Sequence, residues 1–488
     1  MSPNRVVRTS TGDVAGTVGD GMVSFLGVPY ADAPFGANRL RPPRPVRPWT
    51  GERDATRYGP TAPKGPYPDW LQPLLPEVDL PGDDCLNLNV WAPDRGAGHP
   101  VLVWIHGGSF TQGSGSLPEY DGSRFARSGV VCVTINYRLG AEGFLALPDG
   151  TANLGLRDMI AALTWVRDEI AGFGGDPARV TVAGESAGAM AVAALLAVPS
   201  AEGLFARAIM QSGSGAPLLH PETAALVVAR VGAALGAPAT RQDLAVLPRQ
   251  RLVDATAAVA AEVFTGDPAL WGEVAFWRLP FAPVVDGDLL PRPVNEALAA
   301  GASSSVPLLV STTRDEFRLF AVASGMIGAV GEAAFTGAAA ALGLTAEGIE
   351  AYRAAHPGAG PGDLLAAVQA DFYFRRTALQ LLAARPAGAA PAWLARFDTI
   401  APDANGGLGS CHASDVPYVF GTAVPRPLLG DQPSAAAVDT AHTAWVRFVT
   451  GDDPGWPAAD ASGTPTGLLG DKIEVADPDA ALRAVWPA

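Results

Sequence analysis

The chain has 488 residues, 48% hydrophobic and 17% charged, with the charged share below the roughly 25% usual for soluble domains. Its 56 glycines and 44 prolines mark a large, loop-rich globular protein and fall short of a collagenous or disordered composition. The formal charge of −15 excludes a nucleic-acid-binding face, and because the acidic groups are dispersed rather than gathered in a tail they read as solubility.

The N-terminal stretch MSPNRVVRTSTGDVAG has no apolar core of the kind a secretory signal carries. The longest apolar run, residues 189–198, is too short for the roughly 20 residues of a membrane helix. Cys85, Cys132 and Cys411 are odd in number and widely spaced, so neither a disulfide framework nor a zinc site is expected. The expectation is a soluble, cytoplasmic protein without membrane or nucleic-acid partners.

No period repeats along the chain, so a solenoid is not expected. Residues 101–105 (VLVWI) read as a strand that stops at His106-Gly107-Gly108. Residues 130–135 (VVCVTI) form a nearly unbroken β-branched run, as a strand buried on both faces should. The strand at 180–183 enters Gly184-Glu185-Ser186-Ala187-Gly188, and an Ala-, Met- and Leu-rich helix follows over 187–198 before Pro199. Ile209-Met210 and residues 307–310 read as two further short central strands.

Strands alternating with helical stretches predict an α/β fold with a parallel sheet, whose ligands sit at the strands' carboxyl ends. Two regions break the alternation. Residues 215–281 are Ala-rich and helical with an aromatic cluster, and residues 320–394 are helical with Phe372, Tyr373 and Phe374. No Ser/Gly-rich linker sets them apart, so residues 1–488 are expected to form a single domain with these two segments as lid-like insertions.

The chemistry concentrates in the turns. Gly184-Glu185-Ser186-Ala187-Gly188 lies between a strand and a helix, the setting in which G-x-S-x-G lifts a serine on a strained turn as a nucleophile. A phosphate-binding glycine loop is the rival reading, but neither G-x-G-x-x-G nor G-x-x-x-x-G-K-[ST] is present there. His106-Gly107-Gly108 follows a central strand and offers uncovered backbone N–H groups to an oxyanion, with a further donor from Ala187, the residue after the nucleophile. In this fold class the order is serine, acid, histidine. Of six histidines, position and context eliminate His99, His106, His220, His356 and His442, leaving His412 in a small polar loop. The acid lies in the turn Thr312-Thr313-Arg314-Asp315-Glu316, where Asp315 and Glu316 could each reach the imidazole.

These residues resemble the type B carboxylesterase family, which includes the cholinesterases and the bacterial para-nitrobenzyl esterases. The likeness spans nearly the whole chain. Phe173-Gly174-Gly175-Asp176-Pro177 through Gly188 is similar to the family's serine signature, and Asp83 to Trp91 is similar to its second signature, with Asn87 where an aromatic is usual. Phe25 to Ala31, Asn136-Tyr137-Arg138-Leu139-Gly140 and Asn153 to Asp158 also match. The resemblance implies an α/β-hydrolase fold with a mostly parallel twisted sheet, and Glu316 as the acid before His412. It also implies Gly108, Ser109 and Ala187 as oxyanion donors, and no metal or cofactor. Phe317 stands where glycine is common, Ser109 where glycine or alanine is common, and Cys85 lacks the upstream cysteine that secreted members pair with it.

The expected activity is hydrolysis of carboxylic esters, small to medium and apolar or aromatic, through an acyl-enzyme on Ser186. Phe110, Trp277, Phe281, Phe317 and Phe320 are the candidate pocket wall. A catalytically inactive adhesion or scaffold protein of this fold is the alternative from another class. An acyltransferase using the same serine, histidine and glutamate is a third reading.

Overall fold

A computed structural model describes residues 4–399, 406–460 and 463–486. The strands are β1 (Asn4–Arg8), β2 (Asp13–Gly19), β3 (Met22–Pro29), β4 (Glu52–Asp54), β5 (Asn87–Pro93), β6 (His99–Ile105) and β7 (Val131–Ile135). The chain continues through β8 (Gly175–Glu185), β9 (Arg207–Gln211), β10 (Leu308–Thr313), β11 (Ala392–Phe397), β12 (Thr466–Leu469) and β13 (Ile473–Ala476). They form one sheet in the order β1-β2-β3-β5-β7-β6-β8-β9-β10-β11-β12-β13, with β4 beside β2.

The five strands expected from apolar runs are all present, and from β7 to β12 every pairing is parallel. The sheet is nevertheless mixed, since β1, β2, β3 and β5 join antiparallel at one edge and β13 joins antiparallel at the other. The outermost strands escape a search for apolar runs because they are exposed, β1 and β13 containing no buried residue, while buried β5 is interrupted by Asn87 and Asn89. β8 also begins earlier than its apolar core, with Asp176 to Arg179 outside the buried part.

Alternation along the central strands sorts side chains to two faces. Val101, Val103, Ile105, Val133, Val180 and Val182 pack with the helices Leu154–Glu169 and Ala187–Ala197. Leu102, Trp104, Cys132, Ala183, Ile209 and Leu309 pack with Val416–Phe420 and Ala435–Thr450. Every residue of Ala187–Ala197 is buried, which explains its uniformly apolar composition.

The chain runs from β6 outward to β7 and then back to β8 on β6's other side. A crevice therefore opens at the carboxyl ends of β6 and β8, where ligands of such sheets bind. The two helical segments lie between β9 and β10 and between β10 and β11, so both begin and end at neighbouring strands near that crevice.

Candidate active site

Register brings the two Gly-rich turns together. Ile105 pairs with Gly184, so β6 delivers His106-Gly107-Gly108 beside the Glu185-Ser186 turn that ends β8. The glycines are required by proximity: a methyl on Gly188 would lie against the Ile105 carbonyl oxygen, far inside contact distance. One on Gly107 would meet Glu185 Oε2 at 2.6 Å and Ser186 Cβ at 3.1 Å. Ser186 has φ 54° and ψ −124°, strained for a side-chain-bearing residue, and leads directly into the helix Ala187–Ala197. Its N–H donates to Gln211 O at 2.9 Å and its carbonyl accepts from Met190 N–H at 2.9 Å, so neighbouring elements hold the turn.

The turn after β6 is fixed from beneath. Tyr137 donates its hydroxyl to His106 O at 2.8 Å and stacks on the His106 ring at 4.4 Å. His106 Nδ1 lies 2.8 Å from Gly107 O, and because a carbonyl can only accept, Nδ1 carries the proton. Burial pushes His106 down to about 3 against the upward pull of that bond, with the Lys64 charge adding to the fall, so the ring is neutral. The carbonyl of Gly107 and the N–H of Gly108 share one trans peptide. Anchoring the carbonyl therefore aims the Gly108 N–H the opposite way. Ser109 follows with φ 56° and an exposed side chain.

Glu316 sits in the turn after β10, completely buried. Its Oε1 accepts from Thr313 N–H at 2.8 Å, and its Oε2 lies 2.7 Å from His412 Nδ1. Asp315 points elsewhere: its Oδ2 accepts from Ser410 N–H at 2.9 Å and from Arg314 at 2.8 Å. Of the two carboxylates, Glu316 is thus the one that faces the imidazole.

The other imidazole nitrogen, Nε2, lies 3.1 Å from Glu185 Oε1, within ion-pair reach but off the hydrogen-bond direction, so Oε1 makes no hydrogen bond. Sequence reasoning passed over Glu185, although a carboxylate at the end of a buried apolar strand is itself a signal. Asp415 was also missed; it stands three residues beyond His412, at the N-cap of the short helix Val416–Phe420. It is buried and accepts from Gln211 Nε2 at 2.8 Å. Burial raises Glu185, and the nearby Asp415 and Glu316 add to the rise. Burial also lifts Asp415, to about 6. Burial alone would lower His412, but the charges of Glu185, Glu316 and Asp415 override it and raise it above its ordinary 6.5.

Aromatic rings extend away from His412. Phe374 and Phe320 flank its ring at 4.8 and 5.5 Å. Phe317 touches Phe320 at 5.3 Å and stacks on Tyr373 at 5.5 Å, and Trp277 meets Tyr373 and Phe372 at 5.6 and 5.8 Å. Phe110 and Phe281 do not join this surface. Both are completely buried, Phe110 against Phe144 at 4.7 Å, because the positive φ at Ser109 and Phe110 turns that ring into the core. Tyr373 and Phe374 reach this surface from a π-helical turn at Asp371–Arg375.

The Carboxylesterase family matches residues 3–462. The chain belongs to the carboxylesterase family. It is 37% identical to the phenmedipham hydrolase of Pseudarthrobacter oxydans, over 97% of this chain and 96% of that protein. It is 36% identical to the para-nitrobenzyl esterase of Bacillus subtilis, over 98% of each. The crystal structure of the Geobacillus stearothermophilus carboxylesterase Est55 superposes with a TM-score of 0.85 at 35% identity, covering 99% of this chain and all of that one.

This member of the family is a carboxylic ester hydrolase with the α/β-hydrolase fold. Among the described residues no helix is long and apolar enough to cross a membrane. Cys85, Cys132 and Cys411 are free and buried.

Proposed function

We propose that Ser186 attacks the ester carbonyl carbon while His412 Nε2 takes the hydroxyl proton. Glu316, on Nδ1, fixes the tautomer and stabilises the imidazolium. The amides of Gly108, Ser109 and Ala187 receive the oxyanion. The imidazolium then gives its proton to the leaving alcohol as the C–O bond breaks, and water attacks the acyl-enzyme by the same route to release the acid. The observation that carries the assignment is the buried 2.7 Å pair of His412 Nδ1 and Glu316 Oε2 at the crevice that also holds the strained Ser186.

The substrates are small to medium esters with an apolar or aromatic part. Phe317, Phe320 and Trp277, together with Tyr373 and Phe374, support this as a ring-to-ring surface leading from His412. The para-nitrobenzyl group named for one relative is of this kind. The chain is read as one domain over residues 1–488, with segments 215–281 and 320–394 as lids over the crevice. Its three free, buried cysteines suit a cytoplasmic location.

A panel of p-nitrophenyl esters tests the mechanism. Ser186→Ala is expected to lose about 10⁴-fold or more of kcat. A fluorophosphonate is expected to add its phosphonyl mass to the Ser186 peptide of the wild type alone. Equal hydrolysis by the two proteins overturns the assignment.

A further inference from the structure

All of the chain's 34 basic side chains are arginine except Lys64 and Lys472. Lys472 is largely exposed, whereas the Lys64 side chain is only 1% exposed. Lys64 lies in the long connection between β4 and β5. Its Nζ donates to Val78 O at 2.7 Å and to Thr61 Oγ1 at 3.3 Å, and stands 3.5 Å from Glu77 Oε1. Thr61 N–H donates to Leu80 O at 2.9 Å, and Leu80 N–H returns to Thr61 Oγ1 at 3.1 Å. The two ends of the segment are thereby drawn together around the ammonium group.

Glu77 carries the connection onward. Its Oε1 accepts from Val78 N–H at 3.0 Å, and its Oε2 accepts from Gly113 N–H at 3.0 Å. Gly113 closes the turn that begins at His106. Its φ of +87° is a glycine conformation, and a Cβ there would lie 2.5 Å from Gly107 O and 2.6 Å from His106 Nδ1. Gly113 is thus packed against the peptide whose orientation aims the Gly108 amide. In the same segment Tyr67 has its hydroxyl raised by burial and by the charges of Glu77 and Glu185. An ion pair with a buried lysine is weak support for stability, because desolvation offsets its attraction. This one is bonded directly to Gly113, which packs against the Gly107 peptide next to the proposed Gly108 donor.

We propose that Lys64 and Glu77 are positioning residues for the oxyanion turn: Glu77 anchors the Gly113 N–H, and Lys64 holds the Glu77 carboxylate in place. The proposal rests on the reading of the Gly108 and Ser109 amides as oxyanion donors. Removing either side chain lets the turn relax and misaligns those amides without touching the substrate's ground-state contacts.

The test compares Glu77→Ala, Lys64→Met and the double variant Lys64→Met/Glu77→Gln, using p-nitrophenyl butyrate and an alkyl trifluoromethyl ketone, which adds Ser186 Oγ to form an oxyanion. Each single variant is expected to lose about tenfold in kcat with KM held within about twofold, short of the 10²–10³ for a deleted donor. Inhibition by the ketone weakens by a similar factor. The double variant keeps a neutral carbonyl acceptor for Gly113 and removes the lysine, so it recovers most of the rate. Should Glu77→Ala fail to fold, the comparison of Lys64→Met with the double variant decides.

Single variants with wild-type kcat and ketone affinity, a loss in KM alone, or a double variant no faster than Lys64→Met overturn the proposal. Ser186→Ala, assayed alongside, separates the two levels. If it stays active the proposed function fails, and if it is inactive while the single variants match wild type only the positioning role fails.

Discussion

Around His412 three carboxylates converge on one buried imidazole, and the balance among them sets its protonation. Glu185 at Nε2 and Glu316 at Nδ1 both favour the imidazolium, and so does Asp415, against a burial penalty that favours the neutral ring. Burial likewise favours the protonated form of Glu185. In the proposed mechanism a proton on Nε2 must leave before Nε2 can accept one from Ser186. The acid limb of kcat/KM is therefore expected above pH 6.5, the ordinary histidine value. Glu185→Gln removes the charge at Nε2, lowers the His412 value and moves that limb to lower pH. A kcat/KM–pH profile measures it; a limb that stays in place or moves upward excludes this role for Glu185. Single residues of this kind were the least legible part of the sequence. Ser186 announced itself through flanking glycines and an adjoining strand, whereas Glu185 and Asp415 became visible only once the turn after β8 and the loop bearing His412 had been brought together.

At the scale of elements, the turns work because buried polar links tie strand ends to helices. Arg138, just after β7, is bonded bidentately to Asp158 of the helix Leu154–Glu169, Nε to Oδ2 at 2.7 Å and Nη2 to Oδ1 at 2.6 Å. The Arg138 N–H adds a third bond to Oδ2 at 3.1 Å, and Nη1 donates to Arg41 O at 2.7 Å. Both side chains are essentially unexposed, at 1% and 0%. This accounts for two of the matched sequence stretches, which meet here. Asn87 has a similar explanation: in place of an aromatic, it donates to Pro60 O and Asp84 O at 2.7 Å each and accepts from Asn136 at 2.9 Å. Asp158→Asn leaves a buried guanidinium without a counter-charge, and the cost of such a change is about 3–5 kcal/mol. Urea unfolding is expected to give an unfolding free energy lower by that amount, with KM of the remaining folded enzyme unchanged. An unfolding free energy within about 0.5 kcal/mol of wild type, the usual scale of a surface substitution, contradicts it.

Over the whole molecule, the parallel strands β6 to β10 were legible because each holds an apolar run, whereas parallel β12 and β11, which begins at Ala392 inside the stretch read as helical, were not, nor were antiparallel edges such as half-exposed β1. The two helical segments were legible only as departures from alternation. Their mutual contact was not, because it depends on how separate excursions from β9, β10 and β11 pack against each other. That contact is aromatic. Trp277 of the first segment lies on Phe372 with planes 30° apart and meets Tyr373 edge-on at 67°. Tyr373 in turn stacks on Phe317, whose ring reaches Phe320 and so His412. Trp277 is only half-buried, so its truncation spares the core. Trp277→Ala removes two ring contacts worth together about 1 kcal/mol, which is roughly fivefold in an equilibrium constant. If this join walls the site, the loss falls on substrates large enough to lean on it. The ratio of kcat/KM for a benzoyl ester to that for an acetyl ester is expected to drop about fivefold, with acetyl ester turnover nearly unchanged. Equal losses for both esters would mean that the join only stabilises the fold, and no loss for either would take Trp277 out of the pocket.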